Sequence, residues 1–98
     1  MSYLVNYDGK GDILHWAANM RAKLISKGYK SQLLDVGRAG NEDAKKIWDR
    51  DADKALGIIL TYLHPHISSQ FETKLTPETL MIALITHFSR RRRRRITN

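Results

Sequence analysis

His64 and His66 stand on either side of a proline, and Asp49, Asp51 and Asp53 alternate along one short stretch. These residue types could bind a metal or move a proton, but their spacing argues against both. Helical metal ligands sit four apart on one face, as in H-x-x-x-H, and H-P-H does not supply that geometry. His15 and His87 lie far away along the chain. The aspartates imitate the opening of a calcium loop, yet its glycine and closing bidentate glutamate are missing and the stretch reads as helix. Phosphate-cradling glycine patterns and the G-x-S-x-G nucleophile elbow are absent. With no cysteine, disulfides, thiolate metal sites, zinc knuckles and a cysteine nucleophile are all excluded. The expectation is a protein without catalytic residues, metal or cofactor.

The remaining concentration of chemistry is Arg90, Arg91, Arg92, Arg93, Arg94 and Arg95. The chain has 17 Lys+Arg against 10 Asp+Glu, a net charge of +7. Removing those six arginines leaves 11 against 10, a net of +1, so the body is close to neutral. Such a run suits non-specific phosphate binding, because each neutralised phosphate releases counterions. It also suits a nuclear-import signal, or the beginning of a disordered basic tail. No readout residues accompany it, so base recognition is not implied. Trp16 and Trp48 fall on apolar helical stripes and read as packing residues, which leaves no exposed stacking platform.

The elements that position these residues read as helices. The segment with Tyr3, Val5 and Tyr7 is extended and leads into a glycine-rich turn. Asp12 caps a helix to about Lys27, stopped by Gly28, with Ile13, Trp16, Ala17, Met20 and Leu24 inside. His15, Asn19, Lys23 and Ser26 take its other side. A helical turn covers Gln32 to Asp35, and Gly37 and Gly40 punctuate the loop that follows. Asn41 caps a second long helix, with Glu42 and Asp43 at the positive end of its dipole. Its stripe is Ala44, Ile47, Trp48, Ala52, Ala55, Ile59 and Leu63, and its second half is apolar nearly all round. Pro65 opens a short helix to about Glu72. Thr76 caps the last helix, Pro77 starts it, and Leu80, Met81, Leu84, Ile85 and Phe88 share one face, with Ile82 and Ala83 widening it. For "LMIALITHF" two roles stay open, a central core helix or a partly exposed interface. The expected fold is an all-α bundle of about five helices, residues 1–89, with a short extended N-terminal segment. Residues 90–98 form a basic arginine-rich tail. The longest apolar run, six residues from Leu80, falls far short of the ~20 that a membrane span needs. A soluble, cytoplasmic protein is expected, with nuclear import through the arginines as the alternative.

Two stretches together resemble the capsid region of Gag polyproteins from copia-type retrotransposons. In residues 7–29, Tyr7, Gly9, Trp16, Met20, Leu24, Gly28 and Tyr29 hold the family's opening pattern of aromatic-glycine turn, tryptophan helix and glycine-aromatic stop. In residues 48–88, Trp48, Ala55, Ile59, Leu63, Ile67, Phe71, Thr76, Leu84 and Phe88 fall on the family's second set of positions. The last helix departs from the family, with Pro77 and Met81 where Thr-Ala and a tryptophan are usual.

The resemblance implies a capsid-like helical lobe, the N-terminal one of two, that self-associates into particles around element RNA. Its partners would be copies of itself, a second capsid lobe and RNA bound non-specifically through Arg90 to Arg95. Trp16, Met20, Leu24, Trp48, Ile59, Leu63, Met81, Leu84 and Phe88 are the residues expected to build the core or the assembly contacts. The alternatives are a small basic nucleic-acid-binding protein, and a domesticated or truncated Gag fragment that interferes with assembly.

Overall fold

Asp12 begins the first helix, its carboxylate accepting the Leu14 N–H at 3.0 Å. That satisfies one of the donors a helix start leaves open. The computed structural model describes residues 6–38, 40–71 and 76–96, with side chains up to residue 89. Five helices lie among the described residues: α1 (Ile13–Ser26), α2 (Lys30–Leu34), α3 (Glu42–Thr61), α4 (Pro65–Ser68) and α5 (Pro77–Ile96). The fold is therefore an all-α bundle.

Each boundary has a chemical cause. At the end of α1, Gly28 takes φ +91°, which lets Tyr29 N–H reach back to Leu24 O at 2.9 Å. This is the 6→1 closure that a left-handed glycine makes inexpensive. Asn41 Oδ1 accepts the Ala44 N–H at 2.8 Å and starts α3. Thr76 Oγ1 accepts the Thr79 N–H at 3.2 Å, and Pro77 opens α5 behind it. The short α2 begins at Lys30, ahead of the expected Gln32, and ends where Asp35 turns left-handed at φ 57°. Aspartate tolerates that conformation better than most residues.

The helix at Pro65 is shorter than the sequence implied, ending at Ser68. Ser68 Oγ donates to Pro65 O and Ser69 Oγ to His66 O, each at 3.2 Å, while Gln70 Nε2 donates to His66 O at 2.8 Å. Side chains thus occupy His66 O, which a further helical turn would have offered to the Gln70 N–H. That N–H turns to Ile67 O at 3.0 Å instead. Glu72, where that helix was expected to stop, lies outside the described residues, as do Tyr3 and Val5.

The core joins all five helices with the N-terminal segment, α2 contributing Leu33. Ile13, Met20, Leu24, Ile59, Ile67, Leu80, Met81 and Leu84 are completely enclosed or nearly so. Tyr7 ties the chain start into it. Its N–H donates to Tyr62 O and its carbonyl accepts the His64 N–H, both at 2.9 Å, and its hydroxyl donates to Gly11 O at 2.8 Å. Its ring meets Phe88 edge-on at 5.0 Å and lies 5.9 Å from Trp16. An aromatic knot of this kind adds about 0.5–1.5 kcal/mol per pair beyond simple burial.

Candidate functional site

Eight of the nine residues expected in the core or at assembly contacts point inward together. Trp16, Met20 and Leu24 from α1, Ile59 from α3, Leu63 just after it, and Met81, Leu84 and Phe88 from α5 all belong to one buried cluster. Trp48 is also buried but stands apart from that cluster. Its Nε1–H donates to Val36 O at 2.8 Å, so it pins the loop after α2 onto α3. Ile47, placed on the same stripe from sequence, is 52% exposed. In the first half of α3 the loop after α2 covers Trp48 and pairs with Asp49, and Ile47, one residue round the helix, is left outside that contact.

"LMIALITHF" is a core helix along one face, and Ile82, expected to widen that face, lies off it. Leu80, Met81, Leu84 and Phe88 are core residues, while Ile82 is 52% exposed on the outer side of α5. On α1, Leu14 and Ile25 lie outside the buried stripe, 59% and 48% exposed. Ala18 is exposed between them, and the spacing of 14, 18 and 25 sets all three on one side of the helix. Arg21, also exposed, falls within the same line. Sequence reading concentrated on the buried stripes and passed over Leu14 and Ile25. Their signal was their position off the stripe.

The arginine run is not a separate element in its backbone. Residues 90–96 continue α5 without a break. At 3.6 residues per turn, positions 91 and 95 lie in line with Leu84 and Phe88, and positions 90 and 94 follow His87. The line of backbone positions that carries Leu84 and Phe88 therefore runs on through positions 91 and 95.

Among the described residues, two clefts lie beside α5. One, of about 180 Å³, lies at the root of the arginine segment between the Asp8–Lys10 loop, His66, Gln70 and His87, over Ile67 and Phe88. The other, about 380 Å³, lies near Pro77 and is bordered by Asp35, Arg38, Trp48, Asp49 and Asp53. At its edge Arg38 donates a fork of hydrogen bonds to Asp49, 2.8 and 2.9 Å long. The hydrogen bonds from that guanidinium hold the Asp49 carboxyl below the usual carboxylate range, and the same contact raises the Arg38 pKa. In the first cleft Asp8 is likewise held low, chiefly by the Lys10 N–H at 2.9 Å.

The histidines separate into one pair and two single residues. His64 and His66 approach Nδ1 to Nδ1 at 2.6 Å, so one ring nitrogen donates to the other. His87 shares the first cleft with His66 and stands edge-on to Phe71 and Phe88. His15 Nε2 is 3.3 Å from Asn19 Nδ2 on the exposed side of α1. Among the described residues no three His, Cys, Asp or Glu side chains gather in a way that could hold a metal ion. Nor is any helix among them long and apolar enough to cross a membrane. No protein-family model, curated protein or solved structure matches the chain.

Proposed function

We propose that this chain is a structural assembly module of the Gag capsid type, which packs against copies of itself and holds RNA non-specifically through Arg90 to Arg95. The observation that carries the proposal is the outer line of Leu14, Ala18 and Ile25 on α1, left open although the bundle has a filled core of its own. Ile82 supplies a second apolar point on α5. Weak contacts of this kind accumulate when many copies meet, so each can be small. The ordered agreement of the tryptophan-bearing stretches with the copia-type capsid pattern supports the same reading. Its partners are other copies, a second capsid lobe and RNA, and its setting is the cytoplasm.

The test is sedimentation of the purified chain over a wide concentration range, with the neighbouring lobe present. Oligomers should grow with concentration, and Leu14→Ser with Ile25→Ser should suppress them while leaving the helical signal unchanged. A single monomeric species throughout would overturn the proposal.

The second reading, a small basic nucleic-acid-binding protein, is favoured by the continuation of α5 through the arginines. Six phosphate contacts on a single strand would give a salt slope of about −4. Replacing Arg90 to Arg95 by glutamine should abolish most binding at moderate salt, and salt-insensitive binding would exclude this role. A truncated fragment that interferes with an intact Gag would use the same self-contacts.

A further inference from the structure

The cleft at the root of the arginine segment combines groups that the core and the run do not account for. The Lys10 ammonium, the imidazoles of His66 and His87 and the Gln70 carboxamide border one opening. Gln70 uses one N–H on His66 O and keeps its second. His66 commits Nδ1 to His64, which leaves Nε2 as its remaining polar edge. The opening also contains one carboxylate, Asp8, whose Oδ1 accepts the Lys10 N–H within its own loop.

The base of the cleft is set by the core. Gly9, at φ +90°, lets the loop lie against Phe88 and Ile67, because a Cβ there would stand 3.3 Å from Phe88 Cε1 and 3.5 Å from Ile67 Cδ1. The loop that carries Lys10 is therefore seated directly on buried side chains of α4 and α5. From His87 to Arg95 is eight residues, about 12 Å of helix rise. Positions 90 and 94 follow His87 along the axis, so a chain of phosphates tracking the arginines arrives at this cleft at one end.

We propose that the cleft is a phosphodiester subsite for the single-stranded RNA that the arginine run holds, and fixes where on the body that strand ends. This rests on the RNA-binding part of the function proposed above. Lys10 supplies the charge, and the His87 imidazole N–H and the second Gln70 carboxamide N–H supply hydrogen bonds to the non-bridging oxygens. His66, whose ring N–H goes to His64 Nδ1, orients Gln70 through its carbonyl. Asp8 opposes the bound anion and keeps the subsite weak by itself, so it acts only in series with the arginines.

The experiment is a fluorescence-anisotropy titration of the full chain with a short labelled oligouridine at several salt concentrations. One contact on a single strand carries a slope of about 0.7, which corresponds to roughly fivefold in affinity near ~0.1 M salt. Lys10→Ala should weaken binding by about that factor and flatten the slope by about 0.7. Asp8→Asn should tighten binding by a comparable factor. Both side chains are exposed, so neither change depends on the fold surviving, and thermal melts verify this. Lys46→Ala, at an exposed position in the first half of α3 that does not border the cleft, is the control for charge in general.

If Lys10→Ala and Asp8→Asn bind like the wild type while glutamines at Arg90 to Arg95 abolish binding, the subsite is refuted and the arginine contact stands. If Lys46→Ala changes affinity as much as Lys10→Ala, the effect belongs to overall charge and the subsite is again refuted. A wild-type chain that binds no oligouridine overturns both the subsite and the RNA contact on which it rests.

Discussion

Replacing Gly9 by alanine should destabilise the fold out of proportion to the one carbon added. Two separate costs meet at this position. A non-glycine residue at φ +90° carries backbone strain of about 1–3 kcal/mol. The new Cβ would also stand 3.3 Å from Phe88 Cε1, tighter than ordinary van der Waals contact, with Ile67 Cδ1 at 3.5 Å. Phe88 has little room to retreat, since its ring already meets Tyr7 at 5.0 Å and its side chain is buried. A total of about 2–4 kcal/mol follows if overpacking adds about 1 kcal/mol to the strain. With a urea m-value of about 1 kcal/mol/M at this chain length, the midpoint should fall by about 2 M or more. The companion variant Phe88→Leu separates the two costs. It is destabilising by itself, but it removes the close contact, so Gly9→Ala should cost measurably less in its presence. A Gly9→Ala protein that melts with the wild type would refute both the strain and the packing argument. Equal costs in the two backgrounds would leave strain alone.

Two other outcomes follow from burial and charge. Leu84→Ala, at a fully enclosed site, should lower stability by about 2–5 kcal/mol, whereas Ile82→Ser on the same helix should stay within about 0.5 kcal/mol. Thermal melts that ranked the two in reverse would contradict the orientation of α5. The folded-state pKa of Asp49 lies below its unfolded value, so its pairing with Arg38 stabilises the fold above the unfolded pKa and is lost as pH falls through the folded one. Asp49→Asn should therefore flatten the acid side of the stability profile below about pH 4 and leave its shape near neutrality unchanged. An unchanged acid limb would mean that the pair contributes nothing measurable.

The sequence made most of the helices legible because their ends are written in local chemistry. Asp12, Asn41 and Thr76 are caps whose side-chain oxygens reach only two or three residues ahead, so nothing distant is needed to identify them. The inward stripes of α1 and α5 were equally readable from their period. What escaped was set by contacts across the chain. Trp48 and Ile47 fit the α3 stripe equally well, and only the loop after α2 decides that one is covered and the other is not. Gln32 gave no sign that it would be buried, nor that its Oε1 would find no donor among the described residues. Tyr7 looked like one of three alternating residues, while its role depends on the 62–64 segment and Phe88 arriving beside it. The cleft was illegible for the same reason, because Lys10, His66 and His87 come together only after α4 and α5 have packed.

The continuity of α5 means that the bundle acts as a clock face for the charge that follows it. Because Leu80, Leu84 and Phe88 are locked into the core, the rotational phase of every later position on the helix is set by packing inside the body. One residue inserted after Ser89 would turn the whole arginine segment by about 100° and advance it by about 1.5 Å, with no change in arginine content or net charge. Two chains with identical arginines could then present them toward different sides. In this protein the direction of the basic segment is decided upstream, by apolar side chains that never meet the solvent.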